Sequence, residues 1–214
     1  SRPIVRGSVT PRRALIFGIV LNVAAFALLY LLANLLSAAL TLCATLFYVF
    51  VYTKGLKRTT PQNIVIGGAA GAVPPMVGWA AVTGTLSLPA IYLFTIIFFW
   101  TPPHFWALSL LLKKDYAEAN IPMLPVVSGE ETTKKWIFLY TWVLVVLTIT
   151  FFATGAVSWI YLGSALLLGT FFIFFSWRLL RLPGISGAKS TYIFSLAYLA
   201  LLFLAVIADS VLMT

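Results

Sequence analysis

Apolar residues run through this chain in blocks too long for the core of a water-soluble domain. The first, at positions 14–53, is about twice the ~20 residues that carry a helix across a bilayer, so it predicts two helices with Asn34 at the turn. Further blocks at 62–82, 86–112, 136–155, 157–177 and 191–213 predict five more. Helices follow rather than strands, because lipid-facing backbone must satisfy its hydrogen bonds within its own segment. The expected fold is an all-α, polytopic transmembrane bundle of about seven spans, one domain over residues 1–214.

Composition and charge sharpen this pattern. Only 9% of residues are charged and 62% are hydrophobic, against roughly 25% charged in a soluble domain, and mean hydropathy is +1.04. The bilayer is the main solvent. The net charge of +9 would prompt a nucleic-acid reading in a soluble protein, but here the basic residues form short clusters between apolar blocks. Arg2, Arg6, Arg12 and Arg13 precede the first span, and Lys54, Lys57 and Arg58 follow the second. Lys113, Lys114, Lys134 and Lys135 follow the fourth, and Arg178, Arg181 and Lys189 follow the sixth. The connections near Asn34, 83–87 and 154–158 carry no charge. By the positive-inside rule the basic side is the cytoplasm of a bacterial inner membrane, or less readily the mitochondrial matrix. The N-terminus then lies inside and the C-terminus, near Asp209, outside. The single cysteine, Cys43, excludes disulfides within the chain. The opening SRPIVRGSVTPRR is not a signal peptide and reads as an internal start, with an N-terminal piece expected before it.

Four segments carry candidate chemistry. YTKGLKRTTPQNIVIGG places Lys54, Lys57, Arg58, Gln62 and Asn63 at one helix–loop–helix junction. Helix N-termini attract anions, so this junction suits a phosphate or diphosphate clamp; otherwise it is a basic loop that fixes topology. In GGAAGAVPPMVGW, Gly67 and Gly71 allow close helix packing, while Pro74 and Pro75 remove backbone donors in mid-membrane. FFWTPPHFWALSL holds the only histidine, His104, after a second expected Pro-Pro break. Its imidazole would ligate a metal, bond a carboxylate or move a proton, or simply bond a freed carbonyl. The neighbouring Tyr92, Phe94, Phe98, Phe99, Trp100, Phe105 and Trp106 would line an apolar tunnel, or else pack against core and lipid. KKDYAEANIPMLPVVSGEE, expected as a long loop, holds Asp115, Glu118, Glu130 and Glu131. Asp115 and Glu118 lie one helical turn apart and could face Mg²⁺; the alternative is a solvated loop.

Together these segments, at 52–84, 98–110 and 115–127 with RPIVRG at 2–7, resemble the UbiA-type membrane prenyltransferases. TPPHFWALSL followed by DYAEANIPMLPVV is closest to their heme-modifying branch. The resemblance implies a nine-helix bundle with a cavity open to the inner face. It also implies transfer of a farnesyl group from farnesyl diphosphate to a vinyl group of heme B, giving heme O, with Mg²⁺ as cofactor. By resemblance Lys54, Lys57 and Arg58 form the diphosphate clamp, supported by Asn63. Asp115, with Glu118 beside it, takes the metal, and Lys114 and Tyr116 stand at the cavity rim. His104 contacts the heme through its iron or a propionate. Expected protein partners are heme A synthase or terminal-oxidase assembly factors, in a lipid bilayer and without nucleic acid. The family's first acidic motif, NDxxDxxxD, and its first two helices would precede Ser1, so the chain alone is expected to be inactive. Asn120 stands where the family usually has Gly. Alternatives are a prenyltransferase with another aromatic acceptor, a transporter built on broken helices, and a non-catalytic heme-handling membrane protein.

Overall fold

The computed structural model describes Ile4 and residues 6–213; Arg2 and part of the 2–7 segment lie outside the described residues. Helix α1 (Pro11–Leu32) is followed by α2 (Leu35–Leu46), which continues as a π-helix (Phe47–Leu56). Helices α3 (Asn63–Ala72) and α4 (Pro74–Thr83) are halves of one span. Next come α5 (Leu88–Leu111) and two short helices, α6 (Lys113–Glu118) and α7 (Leu124–Val127). The bundle ends with α8 (Gly129–Thr150, extended by a 3₁₀ turn at Phe151–Thr154), α9 (Trp159–Arg181) and α10 (Ala188–Met213). Seven helical stretches are long and apolar enough to cross a membrane, which makes this an integral, multi-pass membrane protein.

The turns are set by local chemistry. Asn34 caps α2, its Oδ1 accepting from the Ser37 amide at 2.9 Å, while its Nδ2 donates to the Ala80 carbonyl at 2.6 Å and ties α2 to α4. Gly84 and Gly155 adopt left-handed conformations (φ 71° and 72°) that end α4 and the 3₁₀ turn. At the same end of the bundle as Gly155, the Asp209 carboxylate of α10 accepts from the Ser158 hydroxyl and amide and from the Tyr161 amide. An anion at that position also complements the N-terminal dipole of α9.

Two expectations are corrected. The 113–135 connection is largely helical, and α8 starts at Gly129 rather than near position 136. Glu130 and Glu131 therefore sit in the first turn of a helix, where carboxylates are favoured. Lys134 is not a loop charge: it is fully buried, donating to Glu131 (2.7 Å) and to the Leu182 carbonyl (2.8 Å) at the end of α9. The second correction concerns the prolines. Pro74 follows an interruption at Val73, but α5 runs unbroken through Pro102 and Pro103. Those two are buried, and the packing of α5 against α3, α8 and α10 holds the helix together despite two missing donors.

The core surrounds α5. Ile96, Leu144, Tyr161, Phe172 and Tyr198 form one buried cluster, and Trp106, Leu110, Ile137 and Leu179 a second nearer the basic end. No residue of α1 is buried.

Candidate functional site

The basic junction starts with an irregularity. Over Phe47–Leu56 the backbone is π-helical; the Lys57 amide reaches the Tyr52 carbonyl at 2.8 Å, and the Thr53 hydroxyl reaches the Tyr48 carbonyl at 2.9 Å. Such segments are rare and concentrate at functional sites. Here it turns Tyr52 across α3. A Cβ placed on Gly67 would lie 2.2 Å from Tyr52 Cδ2, so only glycine lets the ring lie on that helix. A Cβ on Gly68 would lie 2.8 Å from Thr101 Cγ2, and the same economy of bulk brings α3 onto α5.

Between α2, α3, α4 and α5 lies a cavity of about 670 Å³. Its inner end is walled by Tyr48, Tyr52, Ile64 and Phe105, and its deeper part by Thr41, Thr45, Gly71, Val77, Ile97 and Trp100. Thr41, Thr45, Tyr48 and Tyr52 recur at helical spacing along one stripe of an otherwise apolar run. That stripe was the signal in the sequence for this wall. Of the expected tunnel aromatics, Trp100 and Phe105 line the cavity. Tyr92 and Phe99 pack against the first core cluster, and Trp106 is core. The tunnel expectation is corrected for these three, since helix α5 turns them toward α8 and α10.

At the basic end Lys57 is half-buried, and Lys54 and Arg58 are exposed. Lys54 Nζ lies 4.9 Å from the centre of the Phe50 ring. Among the described residues the ion pairs are Lys113–Glu130 and Lys134–Glu131, so Lys54, Lys57 and Arg58 keep their charge free for an anion. Asn63 is fully buried at the start of α3; its Nδ2 donates to the Lys57 carbonyl (3.4 Å), and its Oδ1 has no partner. It thus positions the basic turn from behind rather than standing in the open.

Helix α6 carries Lys114, Asp115 and Glu118 exposed and Tyr116 half-buried. Tyr116 is an electrostatic neighbour of Tyr52, which brings α6 to the same mouth as the basic junction. Burial, with the Asp115 carboxylate second, pushes the Tyr116 phenol up, so it stays protonated and able to donate. Neither Asp115 nor Glu118 is ion-paired, and no group of three His, Cys, Asp or Glu side chains gathers among the described residues.

His104 lies elsewhere, buried in the seam between α5 and α10. Its ring stacks on Trp100 (centroids 4.2 Å apart) and Tyr192 (4.9 Å). The Ser195 hydroxyl donates to the Tyr192 carbonyl at 2.6 Å and is hydrogen-bonded with His104 Nδ1 at 2.8 Å. The Ser195 contact and the two stacked rings fix the plane of the imidazole. His104 does not line the cavity, although its neighbour Trp100 does.

Comparison with known proteins agrees with this arrangement. The chain is 51% identical to the protoheme IX farnesyltransferase of Gloeobacter violaceus, over 98% of this chain and 69% of that protein. It is 50% identical to the Synechocystis sp. protein of that name (98% and 67%) and 50% identical to the one from Roseiflexus sp. (98% and 39%). The chain thus spans from about two fifths to about two thirds of these relatives' lengths. A solved structure of digeranylgeranylglyceryl phosphate synthase shares the fold, with a TM-score of 0.78 at 19% identity over 98% of this chain and 73% of that one. The UbiA prenyltransferase family model matches residues 1–207, and the chain belongs to that family.

Proposed function

We propose that this protein takes part in transfer of a farnesyl group from farnesyl diphosphate to a vinyl group of heme B, giving heme O. The observation that supports the reading is that unpaired Lys57 and Arg58 lie on the turn between Tyr52 and Ile64, which wall the inner end of an apolar cavity of about 670 Å³. Relatives near 50% identity bearing the farnesyltransferase name support it.

The chemistry follows from that geometry. The allylic C–O bond breaks with its electron pair leaving on diphosphate, whose growing charge Lys57 and Arg58 neutralise, with Lys54 and Lys114 beside them. The Asn63 amide holds the Lys57 backbone in place. The cavity keeps the farnesyl chain from water, so the allylic cation survives until the vinyl π electrons attack it. Water then adds at the vinyl carbon next to the ring and loses a proton, leaving a hydroxyethyl-farnesyl substituent. Asp115 and Glu118 are exposed hard-oxygen donors suited to Mg²⁺ shared with substrate phosphates, where the ion would offset the leaving group's charge. By the family resemblance His104 is read as a heme contact, through its iron or a propionate. The basic face is read as cytoplasmic in a bacterial inner membrane.

The test supplies farnesyl diphosphate, Mg²⁺ and heme B to membranes carrying the full-length gene product, with mass spectrometry of the extracted heme. A heme heavier by the hydroxyethyl-farnesyl group is expected; unmodified heme overturns the assignment. Lys57→Ala or Arg58→Ala is expected to lower kcat about 10²–10³-fold, as for removal of an oxyanion donor. Unchanged turnover in both removes the clamp.

A further inference from the structure

Helix α9 carries an exposed stripe that changes character once along its length. Leu167, Phe171, Phe174, Arg178 and Arg181 recur at alternating spacings of four and three, so they share one face. All five are exposed. From Leu167 to Arg178 the helix rises ~16 Å, about half of the ~30 Å hydrocarbon core. The stripe is therefore one leaflet deep, apolar along its length and cationic at headgroup level.

Two further cations converge on that end. Lys134 donates to the Leu182 carbonyl at 2.8 Å and so brings its neighbour Lys135, on α8, to the end of α9. A Cβ on Gly187 would lie 3.5 Å from Leu179 Cα, and this close approach sets the start of α10, with Lys189, against the same turn. Lys135 and Lys189 are exposed. Among the described residues no carboxylate neutralises the patch. Glu130 and Glu131 are taken by Lys113 and Lys134, Asp115 and Glu118 stand on α6, and Asp209 is engaged at the opposite end of the bundle. Lys134 already meets the carbonyl end of α9, which leaves Arg178 and Arg181 free. No residue of α8, α9 or α10 lines the cavity, so the patch is separate from the basic junction beside it.

Crowded like charges favour an anion that neutralises them, and the exposed rings directly below favour an anion with acyl chains. We infer that this face of α9 binds an anionic phospholipid of the leaflet on the basic side. Its phosphate lies between Arg178 and Arg181, and a chain follows Phe174, Phe171 and Leu167. Trp136 and Trp177, both exposed beside the cations, stand at the depth where tryptophan anchors a protein in the interface.

The test titrates dioleoyl phosphatidylglycerol and dioleoyl phosphatidylcholine into the detergent-solubilised protein and counts bound lipid by native mass spectrometry. The wild type is expected to hold its first phosphatidylglycerol at least about tenfold more tightly, equivalent to 1.4 kcal/mol. Arg178→Gln/Arg181→Gln is expected to lose most of that ratio. Arg12→Gln/Arg13→Gln removes the same charge from the exposed start of α1 and should keep it. Phe171→Ala/Phe174→Ala keeps the cations, should weaken both lipids together, and serves should the arginine variant not fold. Equal binding of the two lipids overturns the inference, as does unchanged binding in the phenylalanine variant. An equal loss of preference in the Arg12 and Arg13 variant would mean that only net charge counts, and overturns it as well. Displacement of the bound lipid by millimolar inorganic phosphate would assign the arginines to free phosphate instead. Neither heme nor diphosphate enters the measurement, so its failure is distinct from failure of the farnesyl-transfer assay.

Discussion

Asn120 takes φ 52° between α6 and α7, the only described residue other than glycine with positive φ. Asparagine enters that region more readily than other side chains, and a residue with a Cβ pays roughly 1–2 kcal/mol there. Asn120→Ala is therefore expected to lower the stability of the loop by about 1 kcal/mol, and Asn120→Gly to leave it unchanged or higher, measured by thermal unfolding in detergent. An alanine variant as stable as wild type would show that the turn relaxes freely. The resemblance to the family implies glycine at this place, and the backbone angle is one that glycine adopts without cost. Tyr116 belongs to the same loop. Its phenol is raised above its ordinary value of 10.0, so the neutral form persists through every pH below that value. The pH profile of turnover between about 6 and 9 should have the same limbs in Tyr116→Phe as in wild type. A limb that vanishes in the phenylalanine variant would mean the phenol ionises in that window. Burial is what sequence alone could not reveal for either Asn63 or Lys134: each reads as a polar loop residue, and each is fully enclosed.

Long apolar blocks located every span, because bilayer thickness imposes its length on the chain. Helix ends were harder to read, since polar residues continue a helix wherever a tertiary partner takes their charge. Helix α8 begins seven residues before its apolar run, at Gly129, because Glu131 and the Leu182 carbonyl receive Lys134. The two Pro-Pro pairs look alike in sequence, yet one interrupts a helix beside a cavity and the other is enclosed by neighbours. Asp209 is the clearest case of an element held from a distance. Its carboxylate satisfies the start of α9 from the far end of α10. Asp209→Ala leaves those donors without their acceptor and is expected to cost about 1–3 kcal/mol, read as a lower unfolding temperature. Farnesyl transfer, measured below that temperature, should survive, because Asp209 lies at the end of the bundle opposite Lys57. Equal stability of the variant would assign the capping to solvent instead.

For the whole molecule, the decisive relation is that the basic junction and helix α6 open at one end of the bundle, while the uncharged turns at Gly84 and Gly155 close the other. Connectivity through seven spans requires this, and the proximity of Tyr116 to Tyr52 agrees with it across two separate connections. Charge bias predicts the orientation of the bundle, since lysine and arginine resist translocation far more than uncharged turns do. Cys43 is the only cysteine, so a Cys43→Ser background accepts one reporter thiol at a time. Arg58, Glu118, Thr85 and Ala156 are all exposed, and each can be changed to cysteine in turn. In sealed right-side-out vesicles, a membrane-impermeant maleimide should label the thiols at 85 and 156 and spare those at 58 and 118. Inverted vesicles should give the reverse. If the thiols at 58 and 118 label from opposite sides, no common mouth exists for a diphosphate to meet both lysines and carboxylates. If all four keep their pairing but exchange sides, the site stands and its substrates must arrive from the outer compartment.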